Sequence, residues 1–330
     1  MPSIVFDLHC DTADRLAWQD LPADIISAMQ RPSFNPQDDL TSHLFRDLSK
    51  NGCHLSLERV GDVPWIQCFA CFIPDELDPQ ASLSLYRFVE ERLSDQVSKH
   101  AERAAFACSS DEALAAVDLG RLAVVRTIEN ARHFALGPDL VDQASSQGVI
   151  MASLSWNDAG PLASGIITNE GITEAGRIAL GRMERNGMTL DVSHLNDRSF
   201  DEASRLYGAP IVATHSNSRA VCGHPRNLTD AQFDCIRERD GLVGLCYCTE
   251  FLAEDGNANF DDISRHIDHW LSRDGEDTIA LGSDFDGCDP PSCISDATDM
   301  PSFQSLLERR FGRELTEKIC GRNALRFFAR

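Results

Sequence analysis

Ile4-Val5-Phe6-Asp7-Leu8-His9-Cys10-Asp11-Thr12 reads as a β-strand that runs into a set of polar side chains. Ile4, Val5 and Phe6 are strand formers, in a short run bounded by polar residues. Side chains alternate along a strand. Asp7, His9 and Asp11 are therefore expected on one face, and Phe6, Leu8 and Cys10 on the other. An imidazole and carboxylates sharing a face at a strand end can hold a metal ion. An ordinary histidine beside two solvated acids is the plain alternative, and the rest of the chain has to decide.

Outward from this strand, residues 13–60 give the least pattern, broken by Pro22, Pro32 and Pro36. Short helices are expected there at 24–31 and 44–49. Residues 65–73 read as a buried strand stopped by Pro74, and 83–105 as a helix with Leu85, Phe88, Val89 and Leu93 on one face. Asp111 is positioned to cap a short helix through 117. Strands then follow at 122–128, 149–155, 188–192, 211–213, 242–248 and 278–282. Helices are expected at 139–147, 173–185, 197–206, 229–239 and 261–273. Eight strands alternating with helices argue for parallel pairing, and in a chain of 330 residues for an α/β fold of the (β/α)8 TIM-barrel type. The expected organisation is one catalytic barrel over 1–330, with a poorly readable insertion at about 13–60. An open doubly wound sheet would put a Gly-rich phosphate loop after the first strand, and His9-Cys10-Asp11-Thr12-Ala13-Asp14 does not resemble one.

The totals narrow the partners. Lys and Arg number 30 against 52 Asp and Glu, a net charge of -22, with no basic run. Nucleic acid and anionic membrane surfaces are not expected to bind. The 12 Cys are scattered and lack zinc-finger spacing. The pairs Cys68/Cys71 and Cys246/Cys248 lie in apolar runs, so reduced core thiols are expected. No secretory signal and no apolar run long enough for a membrane span stand out, which fits a cytoplasmic protein.

The polar residues that interrupt the strand pattern fall at strand C-terminal ends: His9 with Asp11, then Glu129, Asn157, His194, His215 and Asp284. In a (β/α)8 barrel these ends meet at one rim, where active sites are built. His9, Asp11, Glu129, His194 and His215 make five ligand candidates with Asp284 beside them, whereas one zinc needs about four. The surplus suggests two metals sharing a carboxylate. His43, His54, His100, His133, His224, His266 and His269 lie on expected helices or loops away from strand ends and read as structural.

The chain resembles the membrane dipeptidase (renal dipeptidase) family, and above all its soluble bacterial members. Asp7-Leu8-His9-Cys10-Asp11 looks like the family's D-x-H-x-D, and Thr127-Ile128-Glu129 like its bridging-glutamate strand. Leu190-Asp191-Val192-Ser193-His194 and Ala213-Thr214-His215-Ser216-Asn217 look like its two histidine strands. His224-Pro225-Arg226-Asn227-Leu228-Thr229-Asp230 resembles its substrate-arginine loop, and Gly282-Ser283-Asp284-Phe285-Asp286-Gly287 its catalytic aspartate segment. The resemblance covers nearly the whole chain and is weakest at about 13–60.

It implies an amidohydrolase-like barrel acting as a binuclear zinc dipeptidase, with two Zn2+ per chain and other divalent ions allowed. His9 and Asp11 would hold one ion, His194 and His215 the other, and Glu129 would bridge them. Arg226 would bind the free carboxylate of a dipeptide and Asp284 would carry the proton, with water shared by the ions as nucleophile. Trp156 and Asn157 would join the substrate pocket, and a homodimer is allowed. Two departures stand out. Trp156 replaces a substrate-contacting His of animal members, and Asn130-Ala131 replaces the Gly pair that often follows the bridging Glu. Another metal-dependent amide or ester hydrolase on this barrel, a phosphoesterase, and a non-catalytic metal-binding homologue remain alternatives.

Overall fold

The computed structural model describes residues 3–29 and 47–329. The strands among them are β1 (Val5–Cys10), β2 (Trp65–Phe72), β3 (Ala104–Phe106), β4 (Leu122–Glu129), β5 (Val149–Ser153), β6 (Thr189–Asp191), β7 (Val212–Ala213), β8 (Leu242–Leu245) and β9 (Ile279–Leu281). All pair in parallel. The ladder runs β1-β2-β4-β5-β6-β7-β8-β9 and returns to β1, so eight strands close a TIM barrel. Closure removes the open doubly wound sheet from consideration.

Alternation along the strands sorts the core into two shells. Phe6, Ile66, Cys68, Val125, Met151, Val212, Leu242 and Ala280 pack together inside the barrel, where Ala324 and Phe327 of the C-terminal helix join them. The other strand face, with Val124, Leu190, Val243 and Ile279, packs against apolar stripes of the outer helices, such as Leu85, Val89 and Leu93 or Ile263 and Ile267. Those helices begin where the sequence offers caps. Thr229 and Gln232 form a capping box before Asp230–Glu238, and Asn259 and Asp262 form one before Phe260–Leu271.

Several expectations are corrected. The helix expected at 83–105 spans Pro79–Lys99, started by Asp78, and its last expected turn is instead β3. β3 occupies the edge of β4 ahead of the point where β5 joins. Ser109, not Asp111, caps Ser110–Asp118. The helix expected at 24–31 is Ala23–Ala28, and residues 30 and 31 lie outside the described residues. Of the helix expected at 44–49, residues 44–46 lie outside them, and 47–49 are not helical. His43 also lies outside them.

The most consequential correction is in β1. Asp7 pairs with Gln67 but Cys10 pairs with Phe69, so three steps on β1 match two on β2. This bulge breaks simple alternation. Asp7 joins neither cluster of possible metal ligands, although His9 belongs to both and Asp11 to one. Asp7 Oδ1 accepts the Ser283 N–H at 2.8 Å, tying β1 to the segment after β9. Cys10 sits with the outer core, apart from Phe6 and Leu8.

On the other flank of β1, at the ends of β7, β8 and β9, the strands pinch together. A Cβ on Gly244 or Gly282 would meet the Thr214 carbonyl at 1.9 or 1.8 Å, so only glycine lets β8 and β9 close on the residue that precedes His215. No described helix is long and apolar enough to cross a membrane. All twelve Cys are unbridged, eight of them buried, in keeping with core thiols.

Candidate active site

The strand ends converge on a cavity of about 480 Å3 lined in part by Asp11, Glu129, Trp156, Asn157, His194, Arg226 and Asp284. Glu129 is the last residue of β4 and lies between two histidines. Its Oε1 is 2.8 Å from His194 Nε2 and its Oε2 is 3.2 Å from His9 Nε2. His9 Nε2 is also 3.6 Å from Asp11 Oδ2 and 3.9 Å from Asp284 Oδ1. His194 Nε2 and His215 Nε2 are 2.9 Å apart. Ligand atoms of His9, Glu129 and His215 form one cluster suited to a metal ion, and those of His9, Asp11 and Asp284 another.

The surrounding hydrogen bonds decide what these nitrogens present. Thr214 Oγ1 donates to Asp191 Oδ2 at 2.6 Å, so toward His215 Nδ1, at 2.8 Å, it acts as acceptor. Nδ1 of His215 thus carries the proton and Nε2 presents a lone pair. Asn157 Oδ1 accepts from His194 Nδ1 at 3.0 Å, which leaves His194 Nε2 as a lone pair too. Burial, reinforced by Arg226, pushes His194 down to about 4, and burial together with His9 pushes His215 well below its usual range. Two bare lone pairs therefore face each other. His9 Nε2 is buried and has no hydrogen-bond partner among the described residues. A cation at this place relieves both conditions, and imidazole with carboxylate is a donor set for zinc and similar ions.

Backbone strain serves the same geometry. Four residues beside the cluster, Asn130, His194, Asp284 and Asp286, have φ between 60 and 71°, a left-handed region rare for residues other than glycine. The segment after β9 also brings Gly287 against the cluster, where a Cβ would lie 2.1 Å from Asp11 Oδ2 and 2.5 Å from Asp284 Oδ1.

Charge is distributed unevenly. Burial alone would lower His9, but Asp11 and Glu129 outweigh it and hold it well above its usual range. Burial would raise Glu129, yet His194 and His9 hold it well below. Asp284 is pushed up to about 7 by burial, opposed by His9 and reinforced by Asp11 and Glu129. Cations beside Asp11 and Glu129 would pull it back down.

Arg226 is 4% exposed, and its guanidinium lies 5.4 Å from the Phe251 ring. Nη2 donates to the His215 carbonyl at 3.3 Å, while Nε has no partner among the described residues. Trp156 lies beyond the end of β5, half-buried, edge-on to Phe72 with ring centroids 5.1 Å apart. It lines the cavity rather than the core.

Sequence reading missed other parts. Asp75 accepts from the Asn157 and Asp158 N–H groups and from Asn130 Nδ2, holding together the loops after β4 and β5. Asp191 positions Thr214 and through it His215. Neither is singled out by the sequence pattern. His224, assigned a structural role, lines the cavity with Phe251, and its Nδ1 accepts the Arg226 N–H at 3.2 Å. His266 does stay structural: it accepts from Ser218 N–H and contacts the Leu252 carbonyl.

The family model for membrane dipeptidases (Peptidase family M19) matches residues 2–330. Among solved structures, a metallo peptidase from Rhodobacter sphaeroides, liganded with a phosphinate mimic of the dipeptide L-Ala-D-Ala, superposes with a TM-score of 0.87. It is 27% identical and covers 100% of this chain and 99% of its own. A second structure, a dipeptidase of family M19, gives a TM-score of 0.85 at 29% identity over 100% of this chain and 99% of its own. A protein from the pqqA 5′ region of Klebsiella pneumoniae is 36% identical over 233 residues, 64% of this chain and 86% of its own length. An uncharacterized dipeptidase of Schizosaccharomyces pombe is 34% identical over 60% of this chain, and that alignment spans 51% of the relative.

Proposed function

The chain belongs to the membrane dipeptidase family and is a metallo-dipeptidase by that membership; on this premise we propose that it hydrolyses free dipeptides with two divalent ions, zinc foremost. His9 and Asp11 would hold one ion, His194 and His215 the other, with Glu129 shared between them. The observation that carries this reading is the facing pair of unprotonated Nε2 atoms, 2.9 Å apart, beside a carboxylate that reaches both His194 and His9. When bound, such ions make water nucleophilic near neutral pH and polarise a carbonyl.

The protein's own groups do the rest. Arg226 presents a buried guanidinium, its Nε unpaired among the described residues, to the dipeptide carboxylate, which fixes the register of the scissile bond. That pairing limits the substrate to two residues, since a longer peptide would put an amide where the carboxylate belongs. Asp284, which lines the cavity with Oδ1 3.9 Å from His9 Nε2, accepts a proton from the attacking water and delivers it to the leaving amine. Trp156 and Phe72 form an apolar wall that excludes water from one side of the pocket. Asn157 holds the His194 ring and thereby its Nε2 direction.

The deciding experiment measures metal content per chain together with turnover of a dipeptide and its C-terminal amide. About two zinc ions, activity lost on chelation and restored by zinc, and strong preference for the free acid are expected. Fully active protein holding a single ion would sink the two-metal reading.

A further inference from the structure

A dipeptide carries two free charges, and Arg226 answers only one of them. The carboxylates that line the cavity can be sorted by what they already do. Asp11, Glu129 and Asp284 belong to the metal-ligand clusters. Asp286 accepts from the Thr12 hydroxyl and from the His54 N–H. Glu250 and Asp289 are exposed, where a charge pair is weak and screened. Asp14 is different.

Asp14 lies in the short helix Thr12–Ala17, one turn beyond Asp11, and is 4% exposed while still lining the cavity. Its Oδ2 accepts the Phe72 N–H at 2.8 Å, which anchors the carboxylate to the end of β2. Its Oδ1 is buried and has no hydrogen-bond partner among the described residues. An unpaired buried carboxylate oxygen is costly, and the cost is relieved by a donor that carries positive charge. The cavity also carries a net excess of acids over Arg15 and Arg226, which favours a cationic group at its unclaimed acceptor.

We propose that Asp14 accepts the free α-ammonium of the substrate's N-terminal residue through Oδ1, while Oδ2 keeps the Phe72 N–H. The proposal rests on the dipeptidase reading above and makes Asp14 a specificity-determining residue. With Arg226 at the carboxylate, it completes a two-ended gauge of length and charge. Acylated or des-amino analogues then lose a charge-assisted hydrogen bond and leave Oδ1 unpaired.

The test uses the full-length, metal-loaded enzyme, a free dipeptide and its des-amino analogue, with wild type and Asp14→Asn. Asn retains an oxygen for the Phe72 N–H and removes the charge. Wild type should favour the free dipeptide about tenfold to hundredfold in kcat/KM. Asp14→Asn should lose that factor on the free dipeptide and little on the analogue, so that its preference falls near one. A variant that keeps the wild-type preference, or loses activity equally on both substrates, overturns the proposal and leaves Asp14 only the Phe72 anchor. If Asp14→Asn does not fold, inhibition of wild type by a dipeptide phosphinate and its des-amino counterpart decides. About tenfold or more between their Ki values is expected, and equal values overturn the proposal. Wild type that hydrolyses both substrates equally refutes Asp14 alone, whereas wild type inactive on every free dipeptide refutes the dipeptidase reading as well.

Discussion

His194 Nε2 and His215 Nε2 face each other across 2.9 Å, and neither holds the proton that would join them. The chain Asp191–Thr214–His215 spends the Thr214 hydroxyl proton on the acid, which leaves its oxygen to take the His215 Nδ1 proton. The tautomer of His215 is thus set two groups away. Thr214→Val removes this acceptor with little change in shape. Metal affinity should fall about tenfold to hundredfold, and Thr214→Ser should restore it. Competition against a metal chelator reads this directly. Equal zinc affinity in wild type and Thr214→Val would mean that the hydroxyl does not set the tautomer.

Gly287 gives a second, steric prediction. A Cβ there would stand 2.1 Å from Asp11 Oδ2 and 2.5 Å from Asp284 Oδ1, a distance no relaxed structure tolerates. Gly287→Ala should displace one or both carboxylates while the barrel stays folded. Turnover should drop by about a hundredfold or more, with the far-ultraviolet circular dichroism unchanged. Normal turnover would show that the segment after β9 can move outward freely.

The barrel was legible because its strands are apolar runs separated by capped helices, and because polar residues break those runs where the strands end. Glu129, His194 and His215 stand out by that contrast. The short β3 was not legible: Ala104–Phe106 continues a helical pattern, and only the open edge of β4 makes it a strand. The bulge in β1 was invisible for a similar reason, since its cause is the pairing with β2 and not the composition of Val5–Cys10. Asp14, Asp75 and Asp191 carry no distinguishing mark in the sequence, because their backbone partners, Phe72, Asn157 and Thr214, are brought in by tertiary contacts. His224 reads as a loop residue, and its place in the cavity follows from the conformation of the loop after β7, which sets its Nδ1 against the Arg226 N–H.

A histidine that does not line the cavity predicts a pH effect on stability. His133 is 1% exposed, stacks on Tyr86 with ring centroids 4.8 Å apart, and has no hydrogen-bond partner on either nitrogen among the described residues. Burial pushes it down to about 3. Its folded pKa therefore lies below the unfolded one near 6.5. As pH falls through 6.5 the unfolded chain takes up the proton first, so stability is lost from there down and levels off near 3. Between pH 7 and pH 5 this costs about 2 kcal/mol. His133→Phe keeps the stack and removes the titration, so its urea midpoint should fall less over that interval. Identical pH dependence in the two proteins would assign the loss to other groups.

The last prediction separates Arg226 from Asp284, since both line the cavity but only one should touch the reacting proton. Arg226 is buried, with Nη2 held by the His215 carbonyl and Nε without a partner among the described residues, so it is set up to receive an anion with little reorganisation. A charge-assisted pair is worth roughly 1.5–3 kcal/mol, so Arg226→Ala should cost about tenfold to hundredfold in kcat/KM, mostly in KM. Amidating the dipeptide should cost wild type a similar factor and the variant little more. Asp284→Asn keeps size and removes the proton acceptor, so kcat should collapse while the preference for a free carboxylate survives. The two variants should therefore move different constants on the same pair of substrates. If wild type hydrolyses the free and amidated dipeptides equally well, Arg226 is no carboxylate clamp, and the limit to two residues must come from the walls of the cavity instead.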